Sequence, residues 1–240
     1  LELDLHGTRI IDSDLEAIVS LPQLRALDLG DCRLLTSRGL AMLDRAPALE
    51  RLSLRYLAAE QLVDLSLPSS MRALDLRATG ANARIIERLS SAPALQVLAL
   101  GGSQIDDSAL AKLPPLHRLS ELDLSYLRIN GKGLSALEGC KALHTLDLSA
   151  SRKRFGTKAF SILRSLPLLR LHFGSVEFNP RYLRRGLPAT LVDLRLGPRT
   201  VDQTAIDAIT MLDYLERLEV HVDNGVNLKS LALLKLLRDL

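Results

Sequence analysis

Asp147, His172 and Arg195 form the first constellation that could do chemistry, with Ser149 and Ser175 beside the first two. A carboxylate, an imidazole and a hydroxyl are the parts of a hydrolytic triad. In a triad the imidazole takes the proton of the hydroxyl and the carboxylate orients the imidazole. That chemistry also needs an oxyanion site and shelter from water. The three residues are spaced at 25 and 23 positions. This separation recurs along the whole chain and identifies the elements that must hold them.

The motif LxxLxL begins at Leu24, Leu49, Met71, Leu95, Leu119, Leu143, Leu168, Leu191 and Leu215. Nine repeats therefore start at 24, 49, 71, 95, 119, 143, 168, 191 and 215, with partial copies at "LELDL" and at Leu237. Alternating apolar residues make each copy a short strand with one buried face. A second apolar group follows at helical spacing, as in Leu40, Met42 and Leu43 or Leu134 and Leu137, and Pro47, Pro93 and Pro167 close several of these segments. One such unit cannot bury its own leucines, but stacked units share a continuous core. Asp147, His172 and Arg195 then occupy the outward-facing middle position of consecutive strands. An open strand surface supplies no pocket, so the expectation is a cross-strand charge pair rather than hydrolysis.

The pattern resembles the leucine-rich repeat family over all 240 residues. The stretches "LDLGDCRLLTSRGLAML" (27–43) and "LEGCKALHTLDL" (137–148) are similar to the cysteine-containing repeats of F-box proteins. The repeat length and Ala/Arg-rich composition also resemble the repeat regions of bacterial type III effectors. The resemblance implies an α/β fold, a right-handed solenoid or horseshoe with a parallel sheet on the concave face and short helices on the convex face. It implies one domain over 1–240 that binds proteins as the substrate- or host-target-recognition region of an effector. The alternative is the recognition arm of an enzyme, such as a ubiquitin ligase, whose catalytic domain lies elsewhere. Because Leu1 enters mid-strand and Leu240 stops just inside a repeat, the native chain is expected to continue at both ends.

Composition narrows the choice. There are four Phe, four Tyr and no Trp, so the core must be aliphatic. Cys32 and Cys140 are too few for a disulfide framework, which favours a reducing compartment and reads Cys32 as a buried structural rung. No metal or cofactor motif is present, and no catalytic residue is assigned. The net charge of +3 hides a block at 152–199 with 11 Lys and Arg against 2 Asp and Glu. That block makes nucleic acid or anionic lipid a further alternative by charge alone, but no aromatic residues are interleaved with it as stacking platforms.

The expected partner is a protein on the concave face and on the rim where the strands end. Tyr56 and Tyr126 share one column just past the strand, and Arg51, Arg55 and Arg77 lie around the first of them. Asp75, Asp123, Asp147, His172 and Arg195 belong to the middle column, where the neighbours Asp4 with Asp28 and Asp123 with Asp147 should repel. The stretch "SASRKRFGTKAF" takes twelve residues from Leu148 to Phe160, where the preceding repeat takes ten from Leu124 to Leu134. Phe155 is expected to fill the place of Ile129, leaving Arg152, Lys153 and Arg154 projecting, with Arg199 two repeats along the same edge.

Overall fold

The computed structural model describes residues 1–240 except the side chains of Pro198 and Arg199. Ten parallel strands form one sheet in chain order. They are β1 (Glu2–Asp4), β2 (Ala26–Asp28), β3 (Arg51–Ser53), β4 (Ala73–Asp75), β5 (Val97–Ala99), β6 (Glu121–Asp123), β7 (Thr145–Asp147), β8 (Arg170–His172), β9 (Asp193–Val201) and β10 (Arg217–Val222). The register follows the leucine motif: Leu27 faces Leu52, Leu52 faces Leu74, and so on through Leu218. The fold is the open leucine-rich solenoid that the periodicity implies.

Short helices return the chain behind the sheet: α1 (Asp12–Val19), α2 (Ser37–Leu40), α3 (Ala83–Arg88), α4 (Asp107–Leu110), α5 (Thr157–Ser165), α6 (Leu183–Gly186) and α7 (Gln203–Ile209). Stretches of 3-10 helix extend or replace them, as at Lys132–Gly139. The side chains of Asn82, Asp106 and Asp202 cap α3, α4 and α7 by accepting a first-turn N–H. The shortest repeat, which starts at Leu49, makes its return in turns alone.

The core is a leucine ladder, with Leu98, Leu100, Leu122, Leu124, Leu146 and Leu148 all at 0–2% exposure. Cys32 and Cys140 are free and fully buried. The aromatic exception is local. Phe155, Phe160, Phe173 and Phe178 stack with ring centroids 5.2–5.6 Å apart. Phe155 is fully buried, as is Ile129 one repeat earlier. The two extra residues are therefore absorbed outside the core, and Arg152, Lys153 and Arg154 are exposed.

Counting the partial copy at "LELDL" as the first, every repeat through the eighth turns inward through a residue of left-handed backbone, two places after the third leucine. These are Gly7, Asp31, Tyr56, Ala78, Gly102, Tyr126, Ala150 and Ser175, with φ between 53° and 71°. The N–H groups of the seven from Gly7 to Ala150 carry the inter-repeat ladder past the strand, as in Tyr126 N–H to the Ser149 carbonyl at 2.8 Å. The ninth repeat departs from this. Gly197 is left-handed one place early, and a Cβ there would meet the Gly174 Cα at 2.4 Å. The chain runs straight on, so β9 is nine residues long and β10 six, where the motif alone implies short strands throughout.

Leu98→Ala should destabilise the chain by about 2–5 kcal/mol, since it opens a cavity in the ladder. Leu169→Ala, at a position 40% exposed, should change stability by less than about 0.5 kcal/mol. Urea unfolding of both variants checks the contrast.

Candidate interaction surface

The middle column of the sheet is explained first by local hydrogen bonding. The carboxylates of Asp4, Asp28, Asp75, Asp123 and Asp147 each accept the backbone N–H two residues on, at 2.8–3.0 Å. The side chain thus ends the strand and sets up the left-handed turn. Asp4 pairs in register with Asp28, and Asp123 with Asp147. The like charges stand side by side because each is held by its own turn.

Where the column lacks an Asp, a neighbouring arginine uses the space. Ser53 leaves room for Arg55, which lies across it to reach Asp28 at 3.4 Å and Asp75 at 3.7 Å. Arg77 holds Asp75 at 2.6 Å, and Asp75 followed by Asp123 raises its guanidinium pKa against the opposing effect of burial. Arg51 pairs with Glu2, two strands away across the small Ala26. These three cations are fixed by the sheet itself. Arg51 and Arg77 wall a hollow of about 580 Å³ floored by Ala26, Ala73, Val97 and Ala99 and edged by Asp123.

The structure brings Asp147, His172 and Ser149 together, but in the wrong order for proton relay. The Ser149 hydroxyl donates to the Asp147 carboxylate, and His172 Nδ1 stands 3.6 Å from the other carboxylate oxygen. The carboxylate sits between the two groups, so the serine has no base. What forms is a cross-strand carboxylate–imidazole pair. Burial pushes the Asp147 carboxyl up, but His172, the Ser149 hydroxyl and the Ser149 N–H together hold it below its ordinary value. Arg195 does not join them. It turns back to Asp193 at 3.3 Å, a buried carboxylate that also takes Arg217 at 3.4 Å.

The rim carries the exposed aromatics. Tyr56 and Tyr126 are 58% and 61% exposed, and both hold left-handed backbone at φ 64° and 59°. A bulky side chain in that region is an outlier. They stand three strands apart, roughly 14 Å at about 4.8 Å per strand. Between them the same column holds only Ala78 and Gly102. Sequence alone places the tyrosines in one column but does not reveal their backbone. The one signal for it is Gly7 and Gly102 at the same position in other repeats. Arg152, Lys153 and Arg154 project from the rim of the seventh repeat, and among the described residues none forms an ion pair. Asp106, held low chiefly by the Ser108 hydroxyl, also feels Lys153. Arg199 lies outside the described residues. Among the described residues no cluster of His, Cys, Asp and Glu could hold a metal ion, and no helix is long and apolar enough to cross a membrane.

A family model described as FBD-associated F-box protein At5g56370, LRR repeats, matches residues 54–179. No curated protein matches the chain. Among solved structures, TLR13 in the TLR13–ssRNA13 complex superposes with a TM-score of 0.71 at 26% identity, over 99% of this chain and 35% of that one. An internalin from Listeria monocytogenes superposes with a TM-score of 0.64 at 19% identity, over 93% of this chain and 69% of that one. This chain thus spans well under two thirds of TLR13.

A depressed carboxyl stabilises the fold above its unfolded pKa, about 3.9, and the contribution is lost as pH falls through the lower folded value. Asp147→Asn should therefore be less stable than the parent near neutral pH, with the gap closing as pH falls below about 4. Urea midpoints across that range test it. A gap that is constant with pH would contradict the assignment.

Proposed function

We propose, from the premise that this chain belongs to the leucine-rich repeat family of FBD-associated F-box proteins, that it is a recognition surface for a protein partner. It binds through the concave face and the adjoining strand rim. The observation that carries this reading is the pair Tyr56 and Tyr126. A left-handed residue other than glycine costs roughly 1–2 kcal/mol, and bulky side chains are kept there where something other than stability holds them. Both tyrosines are exposed, and among the described residues the one ring contact is the edge of His6 against Tyr56, with centroids 6.3 Å apart. Tyrosine supplies a large contact area with a polar tip, the usual profile of an interface anchor.

The polar and charged groups support the same surface. Arg51, Arg55, Arg77 and His172 are oriented by carboxylates of the sheet, so little side-chain entropy remains to be lost on binding. Asp75 and Asp123 line the hollow, and Asp147 continues the acidic column one strand beyond it. Arg152, Lys153 and Arg154 at the rim suit an acidic edge on the partner and would speed association electrostatically. Arg195, tied to Asp193, marks the far end of the face. The finer reading is target capture for a ubiquitin ligase or for a bacterial effector of similar organisation. Kinship with F-box-associated repeats favours the ligase setting, with catalysis outside this segment. A nucleic-acid reading rests on the basic block and on the RNA in the TLR13 complex. It is weaker because the phenylalanines within that block are committed to the core.

The double variant Tyr56→Gly, Tyr126→Gly should unfold at the same temperature as the parent or higher, because glycine removes the left-handed strain. In the full-length protein it should weaken a proximity-identified partner by roughly 1–2 kcal/mol per tyrosine. Unchanged affinity would remove the tyrosines from the interface. The triple change Arg152→Ala, Lys153→Ala, Arg154→Ala should slow association with the same partner and flatten its salt dependence, with thermal unfolding nearly unchanged. Stopped-flow rates at two salt concentrations measure it.

A further inference from the structure

The basic block divides between two faces, and its outer half has no role in partner recognition on the concave side. Arg181, Arg184 and Arg185 lie within one turn on the convex side, where spacings of three and four place them on a common face. With Thr204 and Met211 from the next repeat they line a hollow of about 600 Å³. That is the size of a small-ligand site. We propose that this hollow binds a ligand carrying clustered phosphate groups.

Three features support it. The three guanidiniums are exposed, and among the described residues none forms an ion pair. Like charges at this spacing repel, so the fold carries an unfavourable term that an external anion would reverse. The carboxylate of Asp193, inside the same block, is committed on the concave side to Arg195 and Arg217. On the facing helix α7, Asp207 accepts the Gln203 amide at 2.8 Å, one turn from Thr204. It opposes an anion in part, which sets the demand for more than one negative charge on the ligand.

The turn is also rigid. Pro180 starts it, and the Asn179 side chain accepts the Arg181 N–H at 3.1 Å. At its end Gly186 lies so close to Phe160 that a Cβ would meet the Phe160 Cβ at 2.4 Å. Locked against the aromatic core, the turn presents its arginines with little backbone entropy to lose. Guanidinium forks match phosphate oxygens bidentately, and the Thr204 hydroxyl adds a donor. The hollow is bounded by one helical turn and its neighbour, a fit for a compact phosphorylated group rather than for a long phosphodiester track.

Clustered phosphates could come from a soluble compound or from a lipid headgroup, and two probes separate these. Calorimetry with inorganic pyrophosphate reads the first. Sedimentation with phosphatidylcholine vesicles containing phosphatidylinositol 4-phosphate reads the second, against vesicles containing phosphatidylserine. Binding to pyrophosphate, or to the phosphorylated vesicles alone, is the expected result. The combined variant Arg181→Gln, Arg184→Gln, Arg185→Gln should then bind about tenfold more weakly or worse. All three side chains are exposed, so its unfolding midpoint should match the parent, which checks the fold. The control Arg152→Gln, Lys153→Gln, Arg154→Gln on the rim should bind as the parent does. The proposal fails if neither probe binds, if the convex variant binds like the parent, or if both variants lose affinity equally.

Discussion

The left-handed residue two places after each third leucine is the constraint on which the rest depends. It ends the strand, turns the chain toward the core and directs an N–H to the next repeat. Seven such bonds, from Gly7 to Ala150, lie at 2.6–3.2 Å. The turn dictates which side chains precede it. An Asp in the strand accepts the N–H that opens it, so the acidic column is built into the backbone and does not by itself mark a site. The residue just past the turn is constrained as well. Thr8, Thr79 and Ser151 each give their hydroxyl to the carbonyl of the third leucine at 2.6–2.7 Å. The chain dives inward with that carbonyl satisfied.

With the turn fixed, departures from it carry the information. Tyr56 and Tyr126 fill a position where Gly, Ala, Asp or Ser stand in the other repeats, so there the left-handed backbone carries a bulky exposed side chain. Gly197 shifts the turn by one residue, and the sheet answers by extending β9 and β10 beyond the rim. In the seventh and eighth repeats phenylalanines replace aliphatic rungs. Their added bulk anchors the rim loop through Phe155 and the convex turn through Phe160. One aromatic cluster thus supports two basic surfaces on opposite faces.

Much of this is legible in the sequence, for a physical reason. A strict leucine period leaves one way to bury every leucine, so register, the shared column of Asp147 and His172, and the inward Phe155 all come from counting. Counting misses whatever is decided by backbone torsion and by competition among side chains. Nothing in the letters "RYL" or "SYL" announces that Tyr56 and Tyr126 are left-handed. Arg195 lies beside His172 by register, yet Asp193, two residues back on its own strand, captures it. Spacing places Ser149 near Asp147, but whether it faces the imidazole or the carboxylate depends on hydroxyl geometry that spacing does not encode.

The central claim is that the concave face and its tyrosine rim are the surface a protein partner covers. Tyrosine nitration of the full-length protein, free and in its native complex, tests it directly because the chain contains its own control. Tyr214 is 61% exposed, as Tyr126 is, but lies away from that rim. Protection of Tyr56 and Tyr126 in the complex, with Tyr214 still reactive, is the result expected. Continued reactivity of Tyr56 and Tyr126 with Tyr214 protected would contradict it.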